Sequence, residues 1–222
     1  MMILLRIFPK QDLSDTWRRA LANSEKISNK DCTPLYASQQ EEKDFISIMY
    51  DVNDIDSFAD VLVTKIPSAA NSRKTRTITL LRPVFFPAPK DRPEQLERYQ
   101  VAVRVASGEL SNVFNRILHL NYPVDLFPTY VAYSFGEDDI LVSMLSISRD
   151  KARAFVKEKI ESQKGVLSVD VARIDMSKRL APLEMWRHYR EEKYLFKPSE
   201  GFEEYDFTEQ ALISGAFVKE LE

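Results

Sequence analysis

The sequence predicts an α+β fold: two tandem βαββαβ units packed sheet to sheet inside one chain, followed by a C-terminal helical extension. Three observations lead there. The chain has 222 residues, 44% hydrophobic and 29% charged, enough apolar surface to offset chain entropy and so to exclude whole-chain disorder. Shifting the sequence by 97 residues lays Asp12-Leu-Ser-Asp-Thr-Trp-Arg-Arg-Ala-Leu21 over Glu109-Leu-Ser-Asn-Val-Phe-Asn-Arg-Ile-Leu118 as one continuous block. The order of apolar periodicities around that block is the same in both halves.

In the first half, Ile3 to Phe8 is a short apolar run with the branched residues of a buried strand. Leu13, Trp17, Ala20 and Leu21 recur at the spacing of one helix face. Thr33 to Ser38 and Phe45 to Val52 read as strands joined by a polar hairpin. Asn53 or Asp54 can cap a helix with Ile55, Phe58, Ala59, Leu62 and Ile66 as its buried stripe, and Arg76 to Leu81 follows as a strand.

The second half repeats the series. Val101, Val103 and Val105 alternate in a strand from Gln100 to Ala106, and Leu110, Val113, Phe114, Ile117 and Leu118 form a helical stripe. Phe127 to Phe135 and Ile140 to Ile147 pair around the turn at Gly136 to Asp139. Ser148 or Asp150 caps a helix carrying Ala152, Phe155, Val156 and Ile160. Gly165 stands where a left-handed helix end is expected, and Val166 to Ile174 is the last strand. The 97-residue shift also sets Tyr36 on Tyr133, Phe58 on Phe155, Arg76 on Arg173 and Arg82 on Arg179.

Each half is thus a ferredoxin-like split βαβ, with two helices on one face of a four-stranded sheet. The other face is apolar too and needs a cover, which the matching face of the other unit supplies. The predicted organisation is 1–82 for the first unit, 83–97 for a Pro-rich linker, 98–180 for the second unit and 181–222 for the extension. In the extension, Leu183 to Leu195 reads as a helix with Met185, Trp186 and Tyr189 on a partial apolar face, and Thr208 to Leu221 as a further short segment.

Charge narrows the function. Residues 1–195 carry 29 Lys and Arg against 27 Asp and Glu, whereas 196–222 carry two Lys against seven acids. No basic footprint for nucleic acid emerges, so specific DNA binding by the chain is not expected. No apolar run is long enough to span a bilayer, and Arg6 and Pro9 interrupt MMILLRIFPK, unlike a secretory signal. A cytoplasmic location is expected, with no membrane partner. Cys32 is the single cysteine, which excludes an intramolecular disulfide and a cysteine zinc cage; a packed thiol is expected rather than a nucleophile. Two histidines, His119 and His188, leave no triad or multi-histidine metal site; His119 reads as a helix-terminal residue and His188 as the partner of Glu184. Five glycines form no phosphate loop, so no cofactor and no metal is expected.

One stretch carries more pattern. Gly136-Glu-Asp-Asp139 before an apolar strand, Phe155 within a helix, and Gly165-Val166 before the last strand resemble the effector-binding domain of the Lrp/AsnC regulators, in the dimeric α+β barrel superfamily. The resemblance covers roughly residues 100 to 180. It implies a ligand site at Gly136, Asp138 and Asp139, an amino acid or other small-molecule effector, and a homo-oligomer whose pocket spans subunits. Glycine would let the backbone approach the ligand while a carboxylate holds an ammonium group. The family's N-terminal helix-turn-helix has no room before Ile3. In the first half Glu41 takes the place of Gly136 and Asp44 that of Asp139, which predicts at most one ligand per chain. Otherwise, Gly136 only makes the hairpin turn and Asp139 is solvated.

The leading expectation is therefore a small-ligand-binding or regulatory protein rather than an enzyme. An enzyme on the same barrel, whether a haem-dependent or cofactor-free oxygenase or a tetrapyrrole decarboxylase-like protein, is the alternative by fold analogy. A third reading is an assembly protein that docks through its acidic tail.

Overall fold

The structure, a computed structural model, describes residues 1–23, 31–66 and 70–188. Strand β1 is Met2–Pro9, followed by helix α1 (Leu13–Ala22), β2 (Cys32–Gln40) and β3 (Ile46–Val52). Helix α2 starts at Ile55–Asp60 and widens into a π-helical turn, Val61–Lys65, before β4 (Ser72–Phe85). The second half follows with β5 (Glu97–Val105), α3 (Leu110–Leu118), β6 (Leu126–Phe135) and β7 (Ile140–Ser146). Helix α4 (Arg149–Phe155) again ends in a π-helical turn, Val156–Glu161, then β8 (Val166–Arg179) and a short helix α5 (Leu183–Arg187) close the described chain. The rest of the predicted C-terminal helix and the 208–221 segment lie outside the described residues. No helix among them is long and apolar enough to cross a membrane.

Local chemistry sets the helix starts. The Asp12 carboxylate accepts from the Asp15 N–H at 2.8 Å, and Asp54 from the Ser57 N–H at 3.0 Å. Ser148, rather than Asp150, caps α4, its Oγ accepting from the Lys151 N–H at 3.3 Å. Gly165 has φ +92°, and a Cβ there would lie 2.7 Å from the Glu109 Cβ, so the end of α4 can approach the start of α3 only with glycine.

The eight strands close a barrel in the order β1-β3-β2-β8-β5-β7-β6-β4. Each half keeps its own four neighbours, β4-β1-β3-β2 and β8-β5-β7-β6, and the halves join through two antiparallel seams, β2 with β8 and β4 with β6. The seams explain why two strands outrun their sequence patterns. β4 continues past Leu81 so that Val84 and Phe85 pair with Val131 and Tyr130, a bulge at positive-φ Arg82 (47°) absorbing the bend. β8 continues past Ile174 so that Met176 to Arg179 pair with Gln39 to Tyr36.

Strand register also corrects the internal alignment. The 97-residue offset holds for Leu13 and Leu110 at the helix starts. The stretch from Leu13 to Cys32 is three residues longer than that from Leu110 to Leu126, so afterwards the offset is 94. Met49 faces bulged Tyr36, and Ser143 faces bulged Tyr130, in the same ladder position. Tyr36 therefore corresponds to Tyr130, not Tyr133, and Phe58 to Ala152, not Phe155.

Alternation along the strands sorts side chains into layers. Ile3, Leu5 and Ile7 of β1 face the first pair of helices with Trp17 and Phe58, and Val101, Val103 and Val105 of β5 face the second pair with Phe114 and Ile117. Met2 and Leu4, Met49, Ile78 and Leu141 point the other way, into the barrel. Cys32 is fully buried in the first helix–sheet layer, and burial pushes its thiol up to about 11. A disulfide exchange reagent at pH 8 should leave Cys32 unmodified in the native protein and titrate one thiol in guanidinium. Rapid native labelling would show that this layer opens.

Candidate ligand-binding site

Between the two sheets lies an aromatic-lined cavity of about 100 Å³. Small inward residues, Ser38 of β2 and Ser143 of β7, leave the room for it, while Leu4, Met49, Leu145 and Ile174 form apolar walls. Two bulges aim tyrosines into it: Pro34-Leu-Tyr36 and Pro128-Thr-Tyr130 each carry a register shift that turns the tyrosine toward the cavity. Trp186 and Leu183 of α5 cover one end. Phe85 meets Tyr130 at 5.8 Å and Trp186 edge-on at 6.3 Å, and the Arg98 guanidinium sits 5.4 Å above the Tyr36 ring. Burial raises the Tyr130 phenol well above its ordinary range, so it is a neutral donor at physiological pH. The Tyr36 hydroxyl and the Trp186 indole N–H are buried with no hydrogen-bond partner among the described residues.

The other mouth of the barrel is polar. A cavity of about 390 Å³ is lined by three cations (Arg6, Lys43, Arg104) and three carboxylates (Glu137, Asp138, Asp170), with Phe45 and Ala102 as apolar wall. Gln100 lines both cavities and accepts from the Gln40 Nε2 at 2.6 Å, so this buried pair forms the septum between them. Arg6, its side chain 9% exposed, bridges Glu137 and lies 3.7 Å from Asp138.

The structure separates the three residues implied by the resemblance. Asp138 lines the polar cavity; burial raises its carboxyl, and the Arg6 and Arg104 charges pull it back. Asp139 turns away and accepts the Val105 N–H at 2.7 Å, while its own N–H donates to the Val103 carbonyl at 2.9 Å, tying the β6–β7 hairpin to β5. Gly136 (φ +153°) packs on β4, where a Cβ would lie 3.2 Å from the Thr77 carbonyl oxygen. By register its first-half counterpart is Glu42, at φ 61°, rather than Glu41. The first hairpin reaches the second half through Glu41, 3.2 Å from Arg149, and Lys43, 2.7 Å from Asp170; the second reaches the first half through Glu137, held by Arg6 and Arg76.

No protein-family model matches this sequence, and no curated protein matches it. Structural similarity is clear. A monooxygenase-like protein of Lactobacillus acidophilus NCFM superposes with a TM-score of 0.51 at 11% identity, covering 81% of this chain and 93% of that one. A chlorite dismutase from Candidatus Nitrospira defluvii superposes at 0.48 with 10% identity, covering 83% and 92%. The fold is a dimeric α+β barrel. Here both halves of the barrel come from one chain.

A haem does not fit either of these two cavities. A cavity of about 150 Å³ accommodates benzene, so the 100 Å³ chamber takes at most one small ring and not a macrocycle. The polar cavity offers no His, Cys, Met or Tyr as an axial ligand. His119 lies at the end of α3 with its Nδ1 2.7 Å from the Asn115 carbonyl oxygen, as a helix-terminal histidine should.

Sequence reasoning missed Tyr36, Tyr130, Trp186, Arg6 and Gln100. A signal existed: Arg6 and Gln100 are polar residues on strands whose outward neighbours are continuously apolar, so they had to face a second interior.

Proposed function

We propose that this chain is a small-molecule-binding protein whose ligand, a single aromatic ring bearing a hydroxyl or carbonyl oxygen, enters the barrel between the two sheets. The observation that carries this reading is a pair of buried donors with no hydrogen-bond partner among the described residues, Tyr36 Oη and Trp186 Nε1, on two residues that line one aromatic chamber of about 100 Å³. A buried donor left unsatisfied costs about 1–3 kcal/mol, which an acceptor on the ligand recovers. The chamber size selects a single ring. Arg98 and Arg179 in the lining favour a ligand oxygen that carries negative charge.

Calorimetry with p-cresol and with toluene tests it. We expect saturable p-cresol binding about tenfold or more tighter than toluene, and Tyr36→Phe should reduce that preference. No binding of either compound, or an equal affinity for both, would overturn the reading.

A second reading, cofactor-free oxygenation of the bound ring, is favoured by the likeness in fold to the monooxygenase-like protein. Dioxygen uptake in step with p-cresol loss would support it. A regulatory role of the Lrp/AsnC kind would instead require an amino acid to bind beside the Gly136 to Asp139 hairpin; its support is the short sequence pattern there.

A further inference from the structure

We propose that the polar cavity at the opposite mouth of the barrel binds a small carboxylate, received by the Nε–H of Arg6 and the side-chain amide of Gln100. The proposal stands apart from the aromatic-ring reading, because it uses a different cavity and different donors.

Arg6 and Gln100 line this cavity, and one nitrogen of each, Arg6 Nε and Gln100 Nε2, is buried with no hydrogen-bond partner among the described residues. Both residues are more than nine-tenths buried. Buried polar groups in native proteins are almost always satisfied, so two orphan donors in one cavity point to an acceptor supplied from outside. The lining acids do not supply it. Glu137 is held by Arg6 and Arg76, Asp138 lies 3.7 Å from Arg6 and 3.8 Å from Arg104, and Asp170 lies 2.7 Å from Lys43. An entering group therefore meets donors whose own acids are already engaged. Three cations against three acids leave the lining neutral, which admits one negative charge where an acid excess would repel it. A carboxylate suits the pair, since its two oxygens can accept from two separate N–H groups at once. Phe45, Ala102 and Val169 give its body an apolar wall, so the fitting ligand is a short-chain carboxylic acid rather than a bare inorganic anion.

Isobutyrate and its neutral isostere isobutyramide are the probes, titrated by calorimetry into the full chain. We expect saturable isobutyrate binding, with isobutyramide weaker by about tenfold or more. Arg6→Lys keeps a positive charge beside Glu137 and Asp138 but removes the Nε–H. Gln100→Glu keeps an oxygen for Gln40 and turns the donor into an acceptor. Each should weaken isobutyrate by about tenfold or more, while Arg6→Lys leaves p-cresol binding unchanged. Equal binding of acid and amide, no binding of the acid, or wild-type affinity in both variants would overturn the proposal. If a variant does not fold, the acid–amide comparison on the wild type decides alone. Loss of p-cresol binding with retained isobutyrate binding would sink only the aromatic-ring reading.

Discussion

Phe58→Ala should cost about 3–5 kcal/mol of stability, the range for emptying a large aromatic site in a close-packed core. Phe58 is 1% exposed, lies on α2 against β3, and its ring meets that of Tyr50 at 5.5 Å. The site cannot collapse readily. The second half has Ala152 at the matching position, so the first helix–sheet layer depends on this ring in a way that the second does not. Equilibrium urea denaturation followed by circular dichroism measures the effect. A loss below about 1 kcal/mol would mean that α2 is not seated on the sheet as described.

Arg6→Met should be nearly as damaging near neutral pH, and its effect should shrink on acidification. Removing one member of a buried ion pair costs about 3–5 kcal/mol because the remaining charge is stranded. Glu137 keeps Arg76 and Asp138 keeps Arg104, which places this variant at the low end of that range. The pH dependence follows from Asp138. Its carboxyl is already raised above the ordinary 3.8 by burial, against the lowering charges of Arg6 and Arg104; Asp170 and Asp139 push it higher. Without Arg6 it rises further. The folded state then holds a proton that the unfolded state releases, so the variant loses stability as pH increases from about 4 through the raised value. Denaturation at pH 4 and pH 7 should show a small difference from wild type at the first and a large one at the second. A difference independent of pH would place the cost in packing rather than in the stranded carboxylate.

Strand and helix identity were legible because alternation and helical spacing are local. Val101, Val103 and Val105 announce β5, and Asp54 and Ser148 mark helix starts where the structure has capping hydrogen bonds. The closed barrel was legible from one inference, that the second apolar face of each sheet needs a cover. What was not legible depends on partners distant in sequence. Nothing local says that β4 reaches Phe85 or that β8 reaches Arg179, since those residues pair across the seams. The offset change after the first helix also escaped, because scattered identities at 97 residues masked the 94-residue register of the later strands. For the same reason the two Pro-x-Tyr bulges were not recognised as equivalents. At the hairpin the side-chain directions are set by backbone geometry. Asp139 is turned to the Val105 N–H and Asp138 to the polar cavity, and no spacing rule separates two adjacent aspartates in a turn.

On the aromatic-ring reading the two halves enclose one ligand chamber between their sheets. The direct test is a set of intermolecular nuclear Overhauser contacts from the methyl and ring protons of bound p-cresol to assigned protein methyl groups. The structure predicts contacts from a single bound molecule to Leu4 and Met49 of the first half and to Leu145 and Ile174 of the second. Contacts confined to one half, or directed to helix–sheet residues such as Val113 and Ile117, would contradict it.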